Sequence, residues 1–163
     1  MAGYYPGDKN EAKAQKKLKG LLDHGIRHVV NLMEPDELDH SGTPFEPYEP
    51  LMAEIAYDEG MDVTFSRMPV RDLSIPTKDE MVQILDLIDQ KINANIPVYV
   101  HCWGGKGRTG TVVGCYLARH GHVSGKKVLW MIQKLRKNVS DFHLSSPETL
   151  PQMDMVILWC EGE

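Results

Sequence analysis

The sequence contains no apolar run approaching the roughly 20 residues that are needed to cross a bilayer, so we expect no stable membrane insertion. Cysteine is also scarce. There are three cysteines, Cys102, Cys115 and Cys160. An odd and small number of cysteines does not suit a disulfide framework, which predicts a reducing, cytoplasmic location. Residues 1–10 lack the basic and then apolar segments of a secretory signal, which agrees with that location.

Positive charge is in deficit. The chain has 18 lysine and arginine residues against 23 aspartate and glutamate residues, which gives a net charge of −5. This balance disfavours nucleic acid or an anionic membrane as a bulk electrostatic partner. The length of 163 residues, with 42% apolar and 25% charged residues, is typical of one globular domain over residues 1–163. Nothing in the sequence predicts the oligomeric state.

Metal ligands do not cluster in this sequence. It has seven histidines, but His24, His28, His120 and His122 have no convergent carboxylate or cysteine partners along the chain. We therefore expect neither a metal site nor a cofactor.

The spacing of apolar residues predicts an α/β fold. Helical spacing recurs in six segments, which are 9–24, 48–59, 77–92, 111–118, 124–135 and 148–160. Strand-like patterns cover residues 27–33, 62–68 and 98–100. Strands that are separated by helices pair in parallel, so we expect a central, mostly parallel sheet flanked by helices. Ligands of such sheets bind at the carboxyl ends of the strands.

The most informative segment is His101–Gly110, which follows a predicted strand and opens a predicted helix. Gly104, Gly105 and Gly107 allow the backbone to curl, so that several N–H groups and a helix N-terminus point at one bound anion. A thiol in the same field ionises more readily. This predicts Cys102 as a nucleophilic thiolate beneath a phosphate-binding loop.

Three more side chains complete the predicted loop. Arg108 is placed to hold two phosphate oxygens with its guanidinium fork. Thr109 is expected to donate its hydroxyl to the sulfur of Cys102, to cap the helix that follows, or to do both. His101 is expected to orient the loop and to tune Cys102.

The leaving oxygen of a phosphate ester needs a proton, which should come from a separate loop. Asp72 is the best candidate for this general acid, because Pro69 and Pro76 stiffen the segment that carries it. The acidic segment 34–39 is predicted to be solvated surface instead.

The segment His101–Gly110 matches the His-Cys-x5-Arg-Ser/Thr-Gly signature, so the sequence resembles the cysteine-based protein tyrosine phosphatases. Its compact length and the Asp72 segment are similar to the dual-specificity branch. Residues 21–33 and 65–76 also resemble the entry and the general-acid loop of that fold. The resemblance implies a three-layer tyrosine phosphatase-like fold and a two-step reaction: Cys102 attacks phosphorus while Asp72 protonates the leaving oxygen, and water then hydrolyses the phosphocysteine.

The resemblance also bears on the substrate. Trp103 is expected to wall the pocket with an aromatic face suited to a phenyl ring. Lys106 stands where phosphoinositide phosphatases of this superfamily place a lysine, which suits a second phosphate. Gln152 lies in a segment similar to that of a water-positioning glutamine in larger tyrosine phosphatases; a surface position on the last helix is the alternative. The predicted substrate-binding residues are Trp103, Gly104, Gly105, Lys106, Gly107 and Gln152.

The leading prediction is a metal-independent phosphatase for phosphotyrosine, and for phosphoserine or phosphothreonine, in protein substrates. A phosphatase of inositol phosphates or phosphoinositides is the alternative within the same chemistry, because of Lys106. From other classes, a catalytically silent phosphate-binding adaptor and a rhodanese-like domain are the competing hypotheses. The presence of Cys102, Arg108, Thr109 and an acid candidate together argues against the adaptor. An arginine–threonine–glycine sequence that opens a helix argues against the rhodanese.

Overall fold

The fold is described from a computed structural model that covers residues 1–163. Four strands are present: β1 (Ala2–Gly3), β2 (His28–Asn31), β3 (Thr64–Arg67) and β4 (Val98–His101). Six helices accompany them: α1 (Glu11–Asp23), α2 (Glu49–Asp58), α3 (Lys78–Asn93), α4 (Gly107–Arg119), α5 (Lys127–Leu135) and α6 (Leu150–Leu158). The predicted elements are therefore present, with ends that mostly differ from the prediction by one to three residues; α4 is longer than predicted and begins at Gly107 instead of Thr111.

The strands form one sheet in the order β1-β4-β2-β3, and all of its pairs are parallel. The prediction of a mostly parallel sheet is confirmed. The strand β1 was not predicted, because two residues are too short to show an alternating pattern. It lies at the edge of the sheet, where Ala2 pairs with Val100 and Gly3 with His101.

Helices cover both faces of the sheet, as predicted. On one face α1 and α2 pack against β2, with Leu18, Leu22, Val29 and Met52 in the buried cluster. On the other face the larger cluster joins the sheet to the helices α3 to α6. All four residues of β2 and of β4 are buried, which is the pattern of a parallel sheet covered on both sides.

Helix ends follow local sequence signals. Thr77 and Glu80 form the predicted capping box at the start of α3. Gly25 follows α1 with a φ of 84°, which is the left-handed conformation expected just after a helix. None of the six helices is both long enough and apolar enough to cross a membrane.

The carboxyl edge of the sheet gathers the segments that carry chemistry. Cys102 directly follows β4, the acidic segment 34–39 follows β2, and Asp72 follows β3. Because these three strands are parallel neighbours, their carboxyl ends meet at one edge. The fold therefore brings three separate loops to the same place.

Candidate active site

Cys102 lies in a buried position at the base of the loop, and its sulfur accepts a hydrogen bond from Thr109 Oγ1 at 3.0 Å. The same hydroxyl lies 3.4 Å from the carbonyl oxygen of Gly3. The helix α4 begins at Gly107, with Lys106 in the capping position, so Thr109 is inside the helix. The predicted hydrogen bond from Thr109 to the sulfur is therefore present, and the prediction that Thr109 caps the helix is wrong.

The loop between Cys102 and Arg108 is fixed by two other segments of the chain, the N-terminal residues 3–5 and the segment of Ser146. Tyr5 N–H donates to the carbonyl of Trp103 at 2.8 Å, and Ser146 Oγ donates to that of Lys106 at 2.7 Å. Gly105 has a φ of 67°, and a Cβ atom there would lie 2.5 Å from the backbone of Gly3. The loop therefore needs glycine at this position both for its conformation and for its contact with β1.

Arg108 is buried, and its guanidinium is held by two strand-end carbonyls and two carboxylates. Nη1 donates to the carbonyl oxygens of Val70 at 3.1 Å and Leu32 at 3.4 Å. Glu37 accepts from Nη1 at 2.6 Å and from Nη2 at 2.8 Å, in the bidentate geometry of a strong ion pair. Burial is the largest single effect and lowers the pKa of Arg108, but the hydrogen bond to Glu37 and the nearby charges of Cys102, Glu37 and Asp72 together outweigh it and raise that pKa.

The remaining edge of the same guanidinium faces the predicted general acid. Arg108 Nη2 lies 2.9 Å from Asp72 Oδ1, whose side chain is about half exposed. Arg108 Nε is buried and has no hydrogen-bond partner. A buried N–H without an acceptor is rare and costly, which points to an acceptor supplied by a ligand.

Glu37 corrects the prediction that segment 34–39 is solvated surface. Its side chain is only 9% exposed, because it reaches from the loop after β2 to Arg108. Pro35, Asp36 and Leu38 are exposed as predicted, whereas Glu34 and Asp39 are partly buried. The signal that could have identified Glu37 is its position after a strand that is adjacent to β4.

Gln152 is neither a surface residue nor a free water ligand. Its side chain is fully buried at the start of α6, where Oε1 accepts the backbone N–H groups of Glu148 at 3.1 Å and Thr149 at 3.2 Å. Its Nε2 donates to the carbonyl of Ser74 at 3.0 Å. Because both ends of the amide are used, Gln152 ties α6 to the loop that carries Asp72.

His101 is fully buried beneath the loop. Its Nδ1 lies 3.0 Å from the carbonyl oxygen of Cys102, and its Nε2 lies 2.7 Å from the hydroxyl of Tyr48. A carbonyl oxygen only accepts, so Nδ1 carries the proton and Nε2 accepts from Tyr48. Burial lowers the pKa of His101 to about 4, so the ring is neutral near pH 7 and acts on the loop by orientation.

Trp103 and Lys106 have partners within the protein. The indole of Trp103 packs against His40 and Phe45, with ring centroids 4.2 and 5.4 Å away. Lys106 Nζ lies 3.4 Å from Glu148 and 3.9 Å from Asp141. These two carboxylates meet the charge of Lys106, which works against its predicted use for a second phosphate.

Several contributors to the site were not predicted. They include Glu37, Tyr48, Ser146 and the carbonyl of Gly3. The last three carry no sequence signal, because each reaches the loop from more than 35 residues away along the chain through an ordinary polar group.

Comparison with known proteins gives the family. Residues 5–122 match the family model Tc-R-P, described as "Polymorphic toxin system, DSP-PTPase phosphatase". The chain belongs to this family. Its membership places the chain in the cysteine-based protein tyrosine phosphatase superfamily, on the dual-specificity side, and confirms the predicted class of phosphatase.

Individual relatives agree with the assignment. The chain is 27% identical over 95 residues to phosphatidylglycerophosphate phosphatase PTPMT1 of Arabidopsis thaliana, which is 58% of this chain and 28% of that protein. It is 34% identical over 92 residues to dual specificity protein phosphatase CDC14B of Mus musculus, which is 56% of this chain and 18% of that protein. The chain thus covers less than a third of the length of either relative.

A solved structure shows the same fold. The catalytic-site cysteine-to-serine form of kinase associated phosphatase superposes with a TM-score of 0.67 at 19% sequence identity, covering 95% of this chain and 82% of that one. The predicted three-layer tyrosine phosphatase-like fold is confirmed.

Proposed function

We propose that the protein is a phosphomonoester hydrolase that removes phosphate from phosphotyrosine, and from phosphoserine or phosphothreonine, through a phosphocysteine intermediate. The observation that carries this proposal is the convergence of three loops on one guanidinium. Arg108 is clamped by Glu37 on one edge, contacts Asp72 through Nη2, and keeps a buried Nε without a partner. That free edge suits the oxygens of a tetrahedral phosphate.

In the first step the sulfur of Cys102 attacks phosphorus and the ester oxygen leaves. Arg108 binds two phosphate oxygens through Nε and Nη2 and neutralises the charge that develops on them. The phosphate takes the place of Asp72 at Nη2, and the freed carboxylate takes up a proton from solvent and passes it to the leaving oxygen. The hydroxyl of Thr109, already bonded to sulfur, stabilises the thiolate before attack.

In the second step a water molecule attacks phosphorus and the sulfur–phosphorus bond breaks. Asp72, now ionised, removes a proton from that water. The hydroxyl of Thr109 donates again to the departing sulfur, which returns as thiolate. Inorganic phosphate then leaves, and Asp72 pairs with Arg108 again once it has released its proton to solvent. Arginine and backbone N–H groups carry the charge in both steps, so the chemistry calls for no metal.

Phosphorylated inositols and phosphoinositides are the second candidate substrates. The supporting observation is the similarity to a phosphatidylglycerophosphate phosphatase, a relative that acts on a phospholipid. This candidate ranks second because Lys106, the residue that would bind a second phosphate, is already paired with Glu148 and Asp141.

A substrate panel separates the candidates. Phosphotyrosyl and phosphothreonyl peptides, inositol phosphates and short-chain phosphoinositides are compared by kcat/KM with the wild type and Cys102→Ser. We expect peptide turnover that Cys102→Ser abolishes while phosphate binding persists. Turnover of lipids or inositols alone would reverse the ranking, and binding without any turnover would favour an adaptor.

We also propose that residues 1–163 act as one phosphatase domain in the cytoplasm. The scarcity of cysteine supports this location, and all three cysteines are free thiols. Expression with a fluorescent tag, followed by fractionation, tests it.

A further inference from the structure

Behind the catalytic loop lies an apolar cavity of about 760 Å³ that the proposed reaction does not use. Its walls come from one face of the sheet and from the helices α3, α4 and α5. Representative lining residues are Ile88, Val100, Val113, Tyr116, Leu117 and Ile132. Protein interiors leave few voids larger than a water molecule, and this volume is within the usual range of small-molecule sites.

The mouth of the cavity is also apolar. Ile92, Leu135 and Val139 line the cavity, and each is exposed by 40% or more. Large apolar side chains that are exposed together around an opening mark a binding site more often than ordinary surface. They give an apolar ligand a path into the cavity.

Two lining residues carry positive charge: Met1, whose N-terminal ammonium donates to the carbonyl of Val98 at 2.7 Å, and Arg136 at the end of α5, which is the one charged side chain. No aspartate or glutamate is among the lining residues. Arg136 Nη2 donates to Asp141 at 2.8 Å, whereas Nη1 is buried and has no hydrogen-bond partner. The cavity thus joins apolar walls to one unsatisfied cationic donor, which calls for an anionic acceptor on an apolar ligand.

We propose that this cavity binds a fatty acid, with the acyl chain against the apolar walls and the carboxylate on Arg136 Nη1. An acyl chain gains from the removal of apolar surface from water, and the carboxylate satisfies the buried N–H. The site is distinct from the pocket of Cys102, although it reaches the far side of the catalytic loop at Gly105 and Gly110.

The test is direct binding of cis-parinaric acid, a fatty acid whose fluorescence rises in an apolar environment, with displacement by dodecanoic acid or dodecanol. Arg136→Gln removes the proposed carboxylate partner. Lys137→Gln is the matched control, because it removes the same charge from the next residue, which is exposed and does not line the cavity. Val113→Trp fills the cavity. Thermal unfolding and circular dichroism establish that each variant is folded.

We expect saturable binding to the wild type and to Lys137→Gln. Arg136→Gln should weaken the acid by about tenfold or more and leave the alcohol unchanged, since a hydrogen bond to a charged group is lost. The Val113→Trp variant, if folded, should bind neither the fatty acid nor the alcohol. The proposal is overturned by an absence of saturable binding, by equal effects of Arg136→Gln and Lys137→Gln, or by full binding to Val113→Trp. A parallel binding assay uses phosphatidylglycerol vesicles. Binding of the protein to these vesicles alone, without competition from dodecanoic acid, would also overturn the proposal. Because no arm measures turnover, failure here leaves the proposed hydrolase untouched.

Discussion

At the scale of single residues, Arg108 makes the most contacts with the other members of the site. It is held by Glu37 and by carbonyl groups at the ends of two strand segments, and it pairs with Asp72. A guanidinium that is fixed on one edge loses little freedom when its other edge meets a phosphate. Glu37 is therefore a positioning residue in this account, and Arg108 is the group that touches the substrate.

Replacing Glu37 with glutamine should lower kcat/KM for a phosphotyrosyl peptide by about ten- to hundredfold, because one charged partner of a buried arginine is lost. Asp36→Asn is the matched control, since Asp36 is exposed on the same segment. It should leave kcat/KM within a factor of about two, as is usual for surface changes. Equal losses of kcat/KM in the two variants would show that any charge change in this segment lowers activity. That result would contradict the role of Glu37 in positioning Arg108.

Asp72 gives a second prediction at this scale. Asp72→Ala should slow turnover of an alkyl or phenyl phosphate by about a hundredfold or more, which is the usual contribution of a general acid. The loss should shrink for an activated aryl phosphate, whose leaving group needs no proton. The measurement is kcat for both substrates in both proteins. An equal loss on the two substrates would contradict the assignment of Asp72 as the acid.

At the scale of elements, the catalytic loop is shaped by its neighbours as much as by its own sequence. The short strand β1 packs its backbone against Gly105, and Thr109 contacts the carbonyl of Gly3. Gln152 joins α6 to the loop of Asp72 through Ser74. The loop geometry therefore depends on segments from both ends of the chain.

Two of the three loop glycines, Gly104 and Gly105, test whether the contact with β1 matters beyond the presence of glycine itself. Gly105→Ala should lower kcat/KM by about a hundredfold or more, because a strained φ and a backbone clash with Gly3 each cost on the order of 1–3 kcal/mol. Gly104→Ala meets only Lys106 Cε, at 3.5 Å, and should be close to wild type. Kinetics with a phosphopeptide and thermal unfolding of both variants check this. Similar behaviour of the two would contradict the described loop.

The elements were predicted from sequence better than their contacts were. Apolar periodicity and the capping box of Thr77 gave α3, and the alternation of strands and helices gave the parallel sheet. Glu37 was missed because a carboxylate in an acidic loop has no local signal for burial. Gln152 was misjudged because its Oε1 caps the start of α6, and its Nε2 binds the distant loop of Ser74. Short-range patterns report local structure, whereas these contacts depend on packing between elements.

At the scale of the whole molecule, two buried histidines link stability to pH. His28 and His101 both have a pKa lowered from 6.5 to about 4, chiefly by burial. Between these values the unfolded chain binds protons that the folded chain does not. The free energy of unfolding therefore falls as the pH drops from 6.5 towards 4, by about 1.4 kcal/mol per pH unit for each histidine.

Urea unfolding at several pH values between 7 and 4.5 measures this dependence. His28→Gln should flatten the slope by about 1.4 kcal/mol per pH unit, because one of the two sites is lost. His24→Gln, on an exposed position after α1, is the control and should retain the wild-type slope. A wild-type slope in His28→Gln would contradict the neutral, buried state of His28.

The family, the fold and the geometry of the site all lead to one covalent step at Cys102. Rapid acid quench of the Asp72→Ala variant with an activated aryl phosphate, whose leaving group needs no proton from Asp72, lets the first step proceed while the second is slowed. Mass spectrometry of the peptide that contains Cys102 then tests the covalent step directly. We predict a single added phosphoryl group on Cys102, absent from Cys115, from Cys160 and from Cys102→Ser. Turnover of the wild type with no phosphorylated Cys102 at any quench time would contradict the account.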